Sequence, residues 1–175
     1  RMRRALPVVC AVLAVAAGCA EASPAAGDDV TIATNAVPNG APLEVVELAD
    51  LDGVLRSTAE FMGRPLVVNF WYASCEPCRR EMPLLADFHD QRGEEIAVLG
   101  VNMGDPRTVA ANFAANHGVG FPMLLDDEGE LSAAMRIGLA PTTLFVTADG
   151  RVVDQIAGEL TPDELDEAVS RIAVP

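Results

Sequence analysis

The chain has 175 residues, half of them apolar, and sets 12 Arg against 26 Asp plus Glu, for a formal charge of −14. That length fits one domain, and the acidity excludes a protein that grips nucleic acid through its phosphates. About 130 residues after the N-terminal region suffice for a single buried core, and the two Cys among them are too few for a disulfide-stapled scaffold.

Arg3 and Arg4 precede an apolar stretch over residues 5–18 that closes on Ala16-Ala17-Gly18 before Cys19. Basic, apolar, then small is the pattern of an export signal. The stretch falls short of the roughly 20 residues that cross a bilayer, and no cationic stop follows closely. Residues 1–18 are therefore read as a signal peptide, which takes Cys10 with it and leaves −17 once Arg1, Arg3 and Arg4 are gone. Cys19 after Ala-Ala-Gly resembles the bacterial lipobox, whose Cys is acylated and begins the mature protein, although Ala16 replaces the usual Leu. Ordinary cleavage after Ala14-Val15-Ala16, giving a secreted chain with a spare thiol, is the alternative.

Residues 19–42 are mostly Ala, Gly, Pro, Ser, Thr and Asp, so burial cannot repay their ordering. They read as a lipidated flexible tether with a reach of roughly 25 Å. The folded domain is expected over 43–175. It opens with a short strand at 43–48, and the apolar run at 66–72 reads as a buried central strand. A helix over 77–92 follows, with Met82, Leu85, Ala86 and His89 at helical spacing and Gly93 as its stop.

A second buried strand spans 96–101. Asp105-Pro106 then reads as a capping carboxylate and first-turn Pro, opening a helix that stops at Gly118. An extended piece at 121–125 and a short helix at 130–135 lead to a hairpin of 142–147 with 151–157 around Ala148-Asp149-Gly150. Thr161-Pro162-Asp163-Glu164 has the cap, Pro and Glu of a helix start, so a last helix runs to about Ile172. A parallel crossover followed by a hairpin and terminal helix predicts an α/β fold, a mixed sheet with helices on both faces.

The chemistry sits at the end of the central strand, in Ala73-Ser74-Cys75-Glu76-Pro77-Cys78-Arg79-Arg80-Glu81. Two thiols bracket a helix N-terminus, where free amide N–H groups and the helix dipole favour an anion. Cys75, the outer sulfur, is the expected nucleophile, and Cys78, one turn in, the resolving thiol. Glu81 shares the helical face of Cys78, so its carboxylate is a candidate proton acceptor. The competing reading is a solvated surface Glu. Glu76 lies between the sulfurs and should oppose a thiolate by like charge, unless it is simply an exposed carboxylate. Arg79 and Arg80 read as a solvated helix face, with steering of an acidic partner as the second reading.

A C-x-x-C pair after a βαβ strand reads as a thioredoxin-like redox site. Asn69-Phe70-Trp71, Cys75-x-Pro77-Cys78, Glu81-Met82-Pro83 and Ala140-Pro141-Thr142-Thr143, in that order, resemble the TlpA/ResA-like thiol-disulfide oxidoreductases of the redoxin superfamily. The resemblance covers about residues 43–172. It implies a thioredoxin-like mixed sheet flanked by helices, with a βα insertion between its halves supplied by residues 96–123. It also implies a cis bond at Pro141 facing the disulfide, with the Ala140 backbone free to pair with a bound peptide. A trans Pro that merely begins a strand is the bland alternative.

Two departures stand out. Thioredoxin proper has a buried Asp where this chain has Asn69, which moves the acid-base burden to Glu81 or water. Ser74 replaces the Trp that commonly precedes the first Cys, so the surface there is less apolar. Trp71 is expected to pack beside the site rather than react.

The resemblance points to an enzyme outside the cytoplasm, anchored to the bacterial membrane by Cys19 or else secreted, that exchanges electrons with Cys-containing exported proteins. Net reduction, as in cytochrome c maturation, and oxidative folding both use these sulfurs. No Gly-rich nucleotide motif, flavin signature or quinone-binding span is visible, so the redox-active disulfide serves as its own cofactor. Electrons then come from, or go to, a membrane partner, and a monomer is the default.

A Cu(I)- or metal-binding lipoprotein module is the chief rival, because two Cys can hold Cu(I) or half a zinc site. His89 and His117 lie off zinc-finger spacing, and no metal site is expected. A peroxidase needs Thr three residues before its reactive Cys, where this chain has Tyr72. A passive binder on the same fold has no need of both thiols.

Overall fold

Six consecutive buried residues make β3, Leu66–Trp71, the centre of the sheet. In the computed structural model residues 35–173 are described; the expected signal peptide, Cys10 and Cys19 lie outside the described residues. The sheet has seven strands in the order β2-β1-β5-β4-β3-β6-β7. They are β1 Glu47–Asp50, β2 Leu55–Ser57, β3, β4 Ala97–Asn102, β5 Met123–Leu125, β6 Thr142–Val146 and β7 Val152–Ala157. The helices are α1 Glu76–Arg92, α2 Arg107–Asn116, α3 Glu130–Ala134 and α4 Pro162–Ile172. β3, β4 and β5 run parallel, and β6 lies antiparallel against β3.

Side chains alternate across β3, and that alternation divides the core. Val67 and Trp71 pack with Met82, Leu85, Phe113, Phe145, Leu165 and Val169, beneath α1, α2 and α4. Leu66, Val68 and Phe70 face the other way, against Leu43, Phe61, Leu131, Met135 and Leu144. Asn69 shares the face of Val67 and Trp71, so the strand's one polar side chain points toward α1. Burying an apolar side chain of this size contributes about 1.5–3 kcal/mol, so both faces are held chiefly by this apolar packing.

Several elements form where the sequence places them. Gly93 caps α1, the hairpin turns at Gly150 with φ +81°, and Thr161 and Glu164 close a capping box on α4. β4 and α2 form within the stretch 96–123.

Others differ, each for a tertiary reason. Residues 44–46 are not in a strand, because Thr58 takes their backbone groups. Its Oγ1 accepts the Val46 N–H at 3.1 Å and donates to Glu44 O at 2.7 Å, while its own N–H reaches Val46 O at 3.0 Å. The strand therefore starts later, at Glu47, where β2 and β5 supply partners. β2 and the 3-10 turn Thr58–Phe61 carry too little periodicity to be anticipated.

The expected tether also ends earlier than residue 42. Gly40 N–H donates to Val152 O at 2.7 Å, Val152 N–H to Ala41 O at 2.9 Å, and Leu43 N–H to Gly150 O at 2.8 Å. From Asn35 onward this arm is fastened along β7, through backbone pairing that composition does not reveal.

Asp105 is not a helix cap. α2 begins after Pro106 with no side-chain cap bond. The Asp105 carboxylate instead accepts the Ala73 N–H at 2.6 Å and the Asn102 amide at 2.8 Å. It thus ties β4 to the loop that carries the cysteines. Replacing Asp105 by Ala should lower stability by about 1–3 kcal/mol, seen as a lower urea midpoint, with the helical far-UV signal unchanged.

Candidate active site

β3 ends at Trp71, and after three intervening residues Cys75 stands as the N-cap of α1. The turn is fixed by backbone bonds: Cys75 N–H to Tyr72 O at 3.1 Å, Arg79 N–H to Cys75 O at 3.1 Å, and Met103 N–H to Trp71 O at 2.8 Å. Cys75 Sγ accepts the Cys78 N–H at 3.2 Å, so the sulfur occupies the place that a capping oxygen takes in other helices. Cys75 and Cys78 are joined as a disulfide, with their Cα atoms 5.3 Å apart. Cys78 is wholly enclosed and Cys75 is 3 % exposed, so of the two cysteines only Cys75 reaches the surface.

Pro77 fills the first turn of α1, where its missing N–H costs nothing. The Glu76 side chain is 72 % exposed and lies 3.7 Å from Arg79 and 3.8 Å from Arg80. Its charge is shared with two guanidinium groups, which weakens the expected repulsion of a thiolate. Arg80 reaches on to Glu159 at 2.6 Å. Exposed pairs of this kind add little to stability, because solvent screens them.

Glu81 is interior, 1 % exposed, and not the solvated surface carboxylate of the alternative reading. Cys78, Glu81, Leu85 and Phe88 form the buried stripe of α1. Glu81 Oε1 accepts from Asn69 Nδ2 at 2.8 Å and Oε2 from the Leu160 N–H at 2.7 Å. Asn69 Nδ2 also donates to Thr143 Oγ1 at 3.0 Å, because Asn69 and Thr143 are paired across β3 and β6. Burial pushes the Glu81 carboxyl up to about 7 against the pull of both hydrogen bonds, and nearby Glu159 adds to the rise. A group so placed takes or releases a proton near neutral pH.

The Ala140–Pro141 bond is cis. Thr142 pairs with Phe70, so Pro141 lies at the end of β3 that carries Trp71 and leads to Cys75. Ala140 packs against the cluster that contains Trp71, Cys75 and Cys78. Trp71 is fully buried, its ring 4.4 Å from Phe113, which stacks on His117 at 4.0 Å. His89 meets the Phe121 ring edge-on at 5.8 Å. Among the described residues, no group of three or more His, Cys, Asp or Glu gathers as a metal site.

Sequence reading brought Cys75, Cys78, Glu81, Trp71, Ala140 and Pro141 to one end of the sheet. It missed Thr143, the Leu160 N–H and the Asp105 carboxylate. Asp105 was visible but assigned to the helix after it, and a backbone N–H leaves no mark in a sequence.

Glu81 binds its proton more tightly in the folded chain, at about 7, than at its ordinary 4.5. Its contribution to stability is therefore full below about pH 4.5 and is lost as pH rises through about 7. The loss comes to about 3–4 kcal/mol at ~1.36 kcal/mol per pH unit. Glu81→Gln, neutral throughout, should flatten that slope in urea titrations of the oxidised protein between about pH 5 and 8.

Residues 31–172 match the Redoxin family. The chain is 30% identical over 126 residues to the thiol-disulfide oxidoreductase ResA of Geobacillus kaustophilus, covering 71% of this chain and 72% of that one. It is 28% identical to the ResA of Bacillus subtilis, over 71% of this chain and 70% of the relative. A DsbF homologue from Corynebacterium diphtheriae is similar in structure, with a TM-score of 0.68 and 25% identity over 75% of this chain and 87% of that one. A thioredoxin-like mixed sheet, a Cys-x-x-Cys disulfide at a helix start and these relatives agree: the chain belongs to the Redoxin family, among its ResA-like thiol-disulfide oxidoreductases.

Proposed function

We propose that the chain works outside the cytoplasm, held at the membrane by a lipidated Cys19, and reduces disulfides in exported proteins through Cys75 and Cys78. The observation that carries this reading is Cys75 Sγ on the first free amides of α1, accepting the Cys78 N–H at 3.2 Å. That position stabilises a thiolate.

Cys75 thiolate attacks a client disulfide, forming a mixed disulfide and releasing one client sulfur as a thiolate. Cys78, deprotonated with Glu81 as acceptor, then attacks Cys75 Sγ and releases the second client sulfur. Two electrons pass to the client, two client thiols form, and the chain is left with its Cys75–Cys78 disulfide. No cofactor takes part. A membrane electron donor restores the dithiol. The Ala140–Pro141 loop receives the extended backbone of the client beside the sulfurs. Export supports the location, and Ala16-Ala17-Gly18-Cys19 supports the anchor.

Reduction is the favoured direction, and cytochrome c maturation is a process that needs it. Strong oxidants in this fold owe their potential to a stabilised reduced form. Here the buried Glu81 lies one turn beyond Cys78 on the same helix, and a carboxylate there works against thiolate charge, while Glu76 is exposed and paired with Arg79 and Arg80.

Cys78→Ser should accumulate a mixed disulfide between Cys75 and a protein client, detected by non-reducing gel and mass analysis, while Cys75→Ser abolishes exchange. Trapping through Cys78 in place of Cys75 overturns the assigned roles. Equilibration with glutathione should place the potential toward about −270 mV, and a value near −120 mV makes the chain an oxidant.

A further inference from the structure

Asn35 makes four hydrogen bonds to one short loop, more than 100 residues away in sequence. Its Oδ1 accepts the Gly138 N–H at 2.8 Å and the Leu139 N–H at 3.0 Å. Its Nδ2 donates to Leu139 O at 3.0 Å and to Thr142 Oγ1 at 2.6 Å. Both donors and both acceptor positions of the amide are thereby used. The Thr142 hydroxyl closes the ring by donating to Leu139 O at 2.8 Å.

The loop so held contains Ala140 and Pro141. Ala140 packs on the cluster of Trp71 and the cysteines, but the loop before it projects outward, with Leu139 66 % exposed. Among the described residues the N–H and C=O of Ala140 have no backbone partner, while Pro141 O accepts the Gly158 N–H at 2.9 Å. Asn35 is itself anchored: its carbonyl accepts from Gln155 Nε2 at 2.5 Å, and Val37 N–H donates to Gln155 Oε1 at 2.8 Å. The arm that follows is fastened along β7 as far as Leu43. A side chain on a firmly seated strap therefore orders the loop beside the disulfide from outside.

We propose that Asn35 is a positioning residue for exchange with polypeptides: it holds the 138–142 loop so that the free Ala140 backbone is already in place for a client strand to pair with. This rests on the reading that the Ala140–Pro141 loop receives the client backbone. A loose loop has to be ordered at the moment of binding, and that cost weakens the complex. A small dithiol pairs with no backbone and is indifferent to the loop.

The test uses the whole chain, pre-reduced, in single-turnover reduction of insulin disulfides over a range of insulin concentrations. A parallel arm follows reduction of the Cys75–Cys78 disulfide by dithiothreitol through Trp71 fluorescence. Asn35→Ala should raise the half-saturating insulin concentration about fivefold with the limiting rate and the dithiothreitol rate unchanged. Asn35→Asp keeps both acceptors and should recover part of the loss. An unchanged insulin dependence in Asn35→Ala overturns the proposal, as does an equal fall with both reagents, which marks a merely structural role. Ala140→Pro removes the loop N–H. If it weakens insulin use and Asn35→Ala does not, this inference alone fails; if neither does, the assignment of the loop fails with it.

Discussion

A helix that starts where a buried strand stops leaves its first amides without partners, and the chemistry of this protein follows from how that deficit is met. The N-cap side chain here is a sulfur rather than an oxygen, and the partner sulfur sits one turn inside. Elsewhere a Ser, Thr or Asp settles such an end and does nothing further. Here the group that settles it is one sulfur of the Cys75–Cys78 pair, so under the proposed mechanism the electrostatics that complete the helix also prepare the reaction. The supporting residues serve this junction: Asp105 holds the loop before it through the Ala73 N–H, and Trp71 closes the strand beneath it.

The second constraint is the polar pocket under α1. A carboxylate buried to 1 % exposure needs donors, and Glu81 receives them from Asn69 on β3 and from the backbone at Leu160. Those bonds favour the charged form and burial the neutral one, and the balance falls near neutral pH. Asn69 cannot itself carry a proton, yet it fixes the group that can. The same strand alternation that sends Val67 and Trp71 under α1 sends Asn69 there, so the polar pocket comes from the pleat of one strand.

The third element is the loop of residues 138–142, ordered from two directions. β6 begins just after Pro141 and is locked by its register with β3, while Asn35 holds the residues before it. The arm that carries Asn35 reads in sequence as loose tether, since it offers little to bury. Its order comes from hydrogen bonds to β7 and to the loop, made only once those elements exist.

Much of the site was legible because it is local. Cys75, Pro77, Cys78 and Glu81 lie within two turns of one helix, and helical spacing alone puts Cys78 and Glu81 on one face. Apolar runs mark β3 and β4, and cap chemistry marks α4. What spacing could not decide is which polar groups meet across the sheet. Asp105 looks the same in sequence whether it caps α2 or holds Ala73, and Asn35 gives no sign that it faces a loop more than 100 residues on. The sequence by itself determined the reacting pair and the helix that activates it, because both depend on neighbours within one turn. Only the tertiary structure decided that Glu81 is buried and that Asn35 orders the loop, because desolvation and long-range hydrogen bonds exist only after the strands have assembled.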